Sequence, residues 1–221
     1  MDSVCVEYKL QTLDAGAQNL LKAALKDPRA VDLEKVATAI VDLSLKDSSF
    51  CKEAGRICYA LIQEEAKYAN TTVFRRNLLT RLQQEFTVRE ETRKRSVSQW
   101  VCIVNFICTI FDYLKVNNQP MAALVQPVYD CLFRLVQPDA LTNEEEVDCL
   151  AMQLHRIGEQ LERAEAGRMD ELFYSLRDGF LLQEGLSSMA RLLLLEVLEY
   201  RAGGWKLSDT AREYYYSEVA N

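Results

Sequence analysis

SQWVCIVNFICTIFDYLK, residues Ser98–Lys115, decides the fold class. Trp100, Val101, Ile103, Val104, Phe106, Ile107, Ile110, Phe111 and Leu114 recur at steps of three and four and also fill the faces between. That predicts a helix apolar nearly all round, which has to be sandwiched between neighbours. Its apolar core, Trp100 to Phe111, contains Asn105 and Thr109 and falls short of the roughly 20 residues a membrane span needs. The expected arrangement is a buried central helix covered by other helices.

The sequence on both sides supplies them. A first helix follows Asp14 with Leu20, Leu21, Ala24 and Leu25 on one face and stops before Asp27-Pro28. A second starts at Asp32, whose carboxylate can accept from orphan amides, and repeats Val36, Ala37, Ile40 and Val41. Ser49 is the expected cap of a third, through Ile57 and Leu61, and Thr72 begins a fourth with Phe74, Leu78, Leu82 and Phe86 every four residues. Downstream, NNQP (Asn117–Pro120) punctuates the chain. Pro120 suits the first turn of a sixth helix, and Pro127 should bend it. Thr142 with Glu145 has capping-box spacing for a seventh. An eighth runs from Met169 through Phe180, and a ninth from Leu186 or Ser187 to Tyr200, closed by Gly203-Gly204, with a further turn or more in the tail.

Gly (8) and Pro (4) leave few turn residues for a strand-rich chain, which excludes an all-β sandwich among 221 residues. Nine or ten helices with short links give about 44 residues per antiparallel pair, inside the roughly 40–47 residue period of HEAT and armadillo arrays. The expectation is one continuous all-α domain over residues 1–221, a HEAT-like α-solenoid of about five helix pairs. The net charge of −7 does not attract phosphate backbones globally. Seven cysteines without a Cys-x-x-Cys spacing read as reduced thiols of an intracellular protein, and the N-terminus lacks a signal-peptide pattern.

Chemistry-bearing patterns are few. His155, the single histidine, reads as a surface or satisfied interior residue, with no metal-ligand spacing around it. There is no phosphate loop, dinucleotide fingerprint or nucleophile elbow, so no catalytic residue, cofactor or metal is expected. The run Glu144–Glu146 with Asp148 suits the positive end of a helix. Between Thr72 and Arg95, seven cations (Arg75, Arg76, Arg81, Arg89, Arg93, Lys94, Arg95) face three anions, a local +4. This basic region can contact RNA or an acidic peptide, or serve as a solvated helix face, and it lacks the aromatic series of single-strand RNA recognition. The YYYSEV stretch (Tyr214–Val219) should leave at least one ring exposed.

Several segments carry a family resemblance. VFRRNLLTRLQQEF (Val73–Phe86), the charged Arg93–Arg95, NFICTIFDYLKV (Asn105–Val116), EEEVDCLAMQLHRIGEQLE (Glu144–Glu162) with its Ile-Gly pair, GRMDELF (Gly167–Phe173) and LLLLEVLEYRAGGW (Leu192–Trp205) occur in this order from about Tyr8 to Trp205. Together they resemble the middle domain of eukaryotic translation initiation factor 4 gamma. The resemblance implies a HEAT-like fold of five antiparallel pairs. Size and the full set of segments are most similar to the stand-alone branch of that family, which interacts with the histone-mRNA stem-loop-binding protein. It implies a non-enzymatic adaptor that links that protein to translation initiation factors, self-associates as a homodimer, meets a DEAD-box RNA helicase, and works in cytoplasm and nucleus on replication-dependent histone mRNAs. The alternative is an RNA-binding translation regulator using the fourth helix. Arg75, Arg76, Arg93, Lys94, Arg95, Arg168 and Asp170 are the expected partner contacts.

Overall fold

The computed structural model describes residues 10, 13–67, 72–116 and 119–219. Among them are twelve α-helices, two 3-10 turns and one minimal two-stranded ribbon. The all-α, HEAT-like class is as the periodicity predicts. The chain divides into two compact units, Met1–Lys115 and Val116–Asn221, each with its own buried core.

The first unit holds α1 (Ala15–Lys26), α2 (Leu33–Lys46), α3 (Cys51–Ala66), α4 (Val73–Thr87), α5 (Arg89–Arg95) and α6 (Val97–Tyr113). Every residue of α6 from Trp100 to Phe111 is buried, because α2, α3 and α5 all pack against it. The longest packing seam in this unit joins α2 to α4, skipping α3. Contact with the next-but-one helix is what stacking of helical repeats produces. Gly55 permits close approach of α3 to α6: a Cβ there would stand 2.5 Å from Thr109 Cγ2. Thr109 cannot turn away, since its hydroxyl donates to the Asn105 carbonyl at 2.6 Å.

Aspartates cap as expected at two positions: Asp14 accepts from the Ala17 amide, and Asp32 from Glu34 and Lys35. The third helix differs from expectation. Asp47 caps a 3-10 turn, Ser48–Phe50, that leads directly into α3, so Ser49 lies inside the turn rather than at the cap position. Thr72 precedes α4 without a side-chain bond. The donors are met by Glu65 of α3, a buried carboxylate that accepts from the Phe74 amide at 2.8 Å and the Arg75 amide at 3.4 Å. The Arg93–Arg95 run forms the end of its own helix, α5, broken from α6 at Ser96, which caps α6 through the Gln99 amide.

At the boundary, β1 (Lys115–Val116) pairs with β2 (Gln119–Pro120). Asn117 and Asn118 lie outside the described residues. Pro120 is therefore extended and paired, contrary to its expected place in a first helical turn. The second unit continues with α7 (Ala122–Leu135), α8 (Pro138–Leu141), α9 (Glu144–Ala164), α10 (Ala166–Leu182), α11 (Ser188–Ala202) and α12 (Asp209–Val219). Pro127 sits inside α7. The cap of α9 is Asn143, accepting from Glu146 at 3.2 Å, one residue beyond the expected Thr142–Glu145 pair; the third helical position is then Glu146, which is buried. The main seams are α9 on α11, again skipping one helix, and α10 on α11.

Cys51, Cys58, Cys102, Cys108, Cys131 and Cys149 are buried thiols outside any disulfide. Burial pushes the Cys58 thiol far up from its ordinary value, which keeps it neutral. Two tyrosines are similarly protected. Tyr129 donates to the carbonyls of Leu161 (3.1 Å) and Glu165 (2.9 Å), and Tyr215 donates to Glu199 at 2.7 Å. Burial first, then neighbouring carboxylates, pushes both phenols up. An unfolded tyrosine ionises near about pH 10, so unfolding above that pH releases protons the native state retains. Stability that is level below about pH 10 should therefore fall as pH rises further. Tyr129→Phe and Tyr215→Phe should each flatten that fall in urea titrations. Ionisation of every tyrosine together near pH 10, with the fold intact by circular dichroism, would contradict it.

Candidate functional site

The seven expected contact residues separate into three environments. Arg75 and Arg76 lie in the first turn of α4, half-buried and exposed respectively. With Thr72, Leu79, Thr80 and Gln83 they line a shallow depression of about 330 Å³. Farther along α4, Arg81 is engaged by Glu85 (2.9 Å) and by Asp42 of α2 (3.0 Å), so it ties helices together. Arg89 lies over the Phe86 ring at 4.0 Å and donates to the Phe86 carbonyl. Arg93 is half-buried, Lys94 pairs with Glu91 at 3.0 Å, and Arg95 donates to Gln99 at 3.3 Å. The stretch of α4 after Arg76 is roughly 16 Å long at 1.5 Å per residue, so Arg75–Arg76 and Arg93–Arg95 form separate groups. The basic region is thus partly a set of internal braces, with its exposed charge at the start of α4 and the end of α5.

Arg168 and Asp170 belong to the second unit and serve its interior architecture. The Arg168 guanidinium lies 5.0 Å from the Tyr129 ring and 5.1 Å from the Phe133 ring and pairs with Asp130 at 3.2 Å, joining α10 to α7. Asp170 accepts from Arg201 of α11. Met169 between them is fully buried.

Arg201 is the hub of a larger cluster. Its guanidinium bonds Glu162 of α9 at 2.6 and 3.0 Å and lies 4.6 Å over the Phe173 ring. Burial works against its charge, but the hydrogen bonds it donates to Asp170 and Glu162, with their negative charges, more than offset it and push the group further up. Glu162 also accepts the Trp205 indole N–H. That indole meets Phe173 and Tyr200 edge-on, at 5.8 and 5.7 Å between centroids, and packs against Gly158, where a Cβ would collide with its six-membered ring. To reach it the chain leaves α11 through two left-handed residues, Gly204 at φ 70° and Trp205 itself at φ 61°. For Trp205 that conformation costs about 1–3 kcal/mol, stored against the packing. The Ile-Gly pair, the Arg-Met-Asp entry and the arginine-to-tryptophan ending, which lie far apart in sequence, meet at this one place.

The MIF4G domain family matches residues 5–203. The chain belongs to the MIF4G domain family. It is 72% identical over 215 residues to MIF4G domain-containing protein B of Danio rerio and 66% identical over 215 residues to MIF4G domain-containing protein of Homo sapiens, covering 97% of this chain and 97% of each relative. A bovine relative of the same description is 67% identical over the same length. Gly158, Glu162, Asp170 and Arg201, inside the matched residues, and Trp205, two residues beyond them, form one connected cluster in the second unit. Glu162 answers both Arg201 and Trp205, a pairing across about 40 positions that no local spacing announces.

His155, on α9, packs at a tilt against Tyr200 with 4.3 Å between centroids, and its Nε2 stands 3.4 Å from a Glu196 carboxylate oxygen. Glu144 and Glu145 are exposed in the first turn of α9, and Asp148 is exposed one turn on. In the tail, Tyr214 is exposed and Tyr215 buried; the Tyr216 side chain lies outside what is described.

Proposed function

We propose that the chain is a non-enzymatic adaptor that binds the histone-mRNA stem-loop-binding protein and connects it to translation initiation factors, promoting translation of replication-dependent histone mRNAs in cytoplasm and nucleus. The observation that carries this reading is the use of the signature residues. Gly158, Glu162, Arg201 and Trp205 are spent on internal packing and ion pairing, so helix surface is what remains to act. Helix surfaces and the grooves between them suit capture of extended or helical peptides. Contact with a DEAD-box RNA helicase belongs to the same proposal. Self-association as a homodimer is supported by the exposed apolar side chains of Tyr174, Leu181 and Leu182 on α10.

The purified chain mixed with the stem-loop-binding protein and no RNA should sediment as a complex of defined stoichiometry. Assembly only when stem-loop RNA is added would overturn the adaptor reading. It would favour the second reading, an RNA-binding regulator using the depression beside Arg75 and Arg76. On that reading, RNA affinity falls steeply with salt and Arg75→Glu/Arg76→Glu weakens it about tenfold or more; on the adaptor reading the RNA term is absent.

A further inference from the structure

The helix α12 rests on α11 through one anchor. Among its residues 209–215, Tyr215 alone is buried, at 3% exposure, while Ala211 is half-buried and Asp209, Thr210, Arg212, Glu213 and Tyr214 are exposed. The Tyr215 hydroxyl donates to a Glu199 carboxylate oxygen of α11 at 2.7 Å. With 11 residues, α12 is shorter than the roughly 12–15 at which a lone helix is marginal in water, so docking on α11 sustains it. A helix seated by so little buried surface belongs to the low-stability end of its unit and lifts without unfolding α9, α10 and α11.

The anchor is also a group that a charge-changing modification would invert. Glu199 accepts from the hydroxyl, and Glu196, a second carboxylate one turn earlier on α11, is buried. The Tyr214 ring meets Tyr215 edge-on at 5.3 Å, and Arg212, one turn earlier on α12, pairs with Asp209 at 3.8 Å. A phosphate in place of the phenolic hydrogen would turn a donated hydrogen bond into repulsion between anions at a buried contact, where water screens it little.

We propose that Tyr215 is a phosphorylation site for a protein-tyrosine kinase and that its modification releases α12 from α11. The hydroxyl becomes accessible when α12 lifts. Its oxygen then bonds to the γ-phosphorus of a nucleoside triphosphate as the bridging P–O bond breaks, the nucleoside diphosphate leaves, and the phenolic proton passes to the kinase's catalytic aspartate. The phosphotyrosine carries about −1.5 to −2 charges at pH 7 and cannot resume the seat facing Glu199, so the modification traps the open form. Arg212 stands with His155, Glu196, Tyr200 and Trp205 in the wall of a cavity of about 490 Å³, and release of α12 therefore opens that cavity on one side. None of this depends on which partner the chain serves.

The full chain is incubated with magnesium, ATP and the catalytic domain of a broad-specificity tyrosine kinase, beside a synthetic peptide of residues 209–219, and the modified positions are mapped by mass spectrometry. Phosphate is expected on Tyr215 of the chain, at a rate about tenfold or more below that on the peptide, because the docked helix has to open first. In the modified chain the α12 amides should lose hydrogen-exchange protection about tenfold or more while α9, α10 and α11 keep theirs. Glu199→Ala removes the acceptor without touching the segment the kinase reads. It should raise the rate at Tyr215 about tenfold or more, with protection of α9 and α10 unchanged. Tyr214→Phe should leave modification of Tyr215 in place. Phosphate confined to Tyr214 or Tyr216, equal rates on chain and peptide, an unaltered rate in Glu199→Ala, or full α12 protection in the Tyr215-modified chain would each overturn the proposal.

Discussion

Trp205→Ala is expected to destabilise the second unit by about 3–5 kcal/mol, the usual range for removing a buried large aromatic. The indole is 8% exposed, satisfies Glu162 with its N–H, and separates Phe173 from Tyr200. Gly158→Ala should cost about 1–3 kcal/mol alone, because the new methyl collides with a ring pinned on its other sides. The decisive result lies in their combination. Once the indole is gone, the three atoms nearest the added methyl go with it, and alanine's advantage over glycine inside a helix makes Gly158→Ala neutral or stabilising by up to about 1 kcal/mol. Urea unfolding of the two single variants and the double variant yields the coupling. Simple additivity would show that Trp205 and Gly158 do not share one steric constraint.

Glu65→Leu should destabilise the first unit by about 2–3 kcal/mol. The leucine keeps the buried volume but leaves the Phe74 and Arg75 amides without their acceptor, and hydrogen bonds to a charged group are worth about 1.5–3 kcal/mol. Glu65→Gln retains one carbonyl oxygen and should fall in between. Amide hydrogen exchange separates this from a general loss of stability: protection at Phe74 and Arg75 should drop more than protection in the middle of α4. A uniform drop along α4 would show that Glu65 acts through packing alone.

The helices were legible because each buried face repeats at three and four residues, and α6 announced its own burial by lacking a polar side. Their boundaries were read well where the cap is local, as at Asp14 and Asp32, and shifted where it is not. Glu65 caps α4 from nine positions away, and no scan of the residues beside Thr72 can find it. Asn143 displaced Thr142 because asparagine is the stronger cap of the two and the Thr142 hydroxyl donates to the Asp139 carbonyl, while Glu146 is buried. Arg168 and Asp170 show the same limit from the functional side. A charged pair at a helix entry does not announce its bonds within the chain, and the residues that make them, Asp130 and Arg201, are more than 30 positions distant.

The distribution of buried thiols gives each unit its own internal clock. Cys51, Cys58, Cys102 and Cys108 lie in the first unit, Cys131 and Cys149 in the second, and all six are sealed from reagent in the native state. Alkylation by a maleimide must wait for a helix to swing open, so the order in which these sulfurs are capped, followed by mass spectrometry, ranks the regions by how readily they breathe. Loosening or stiffening of the chain when a partner grips it would appear as a change in that order, with no substitution made in the sequence.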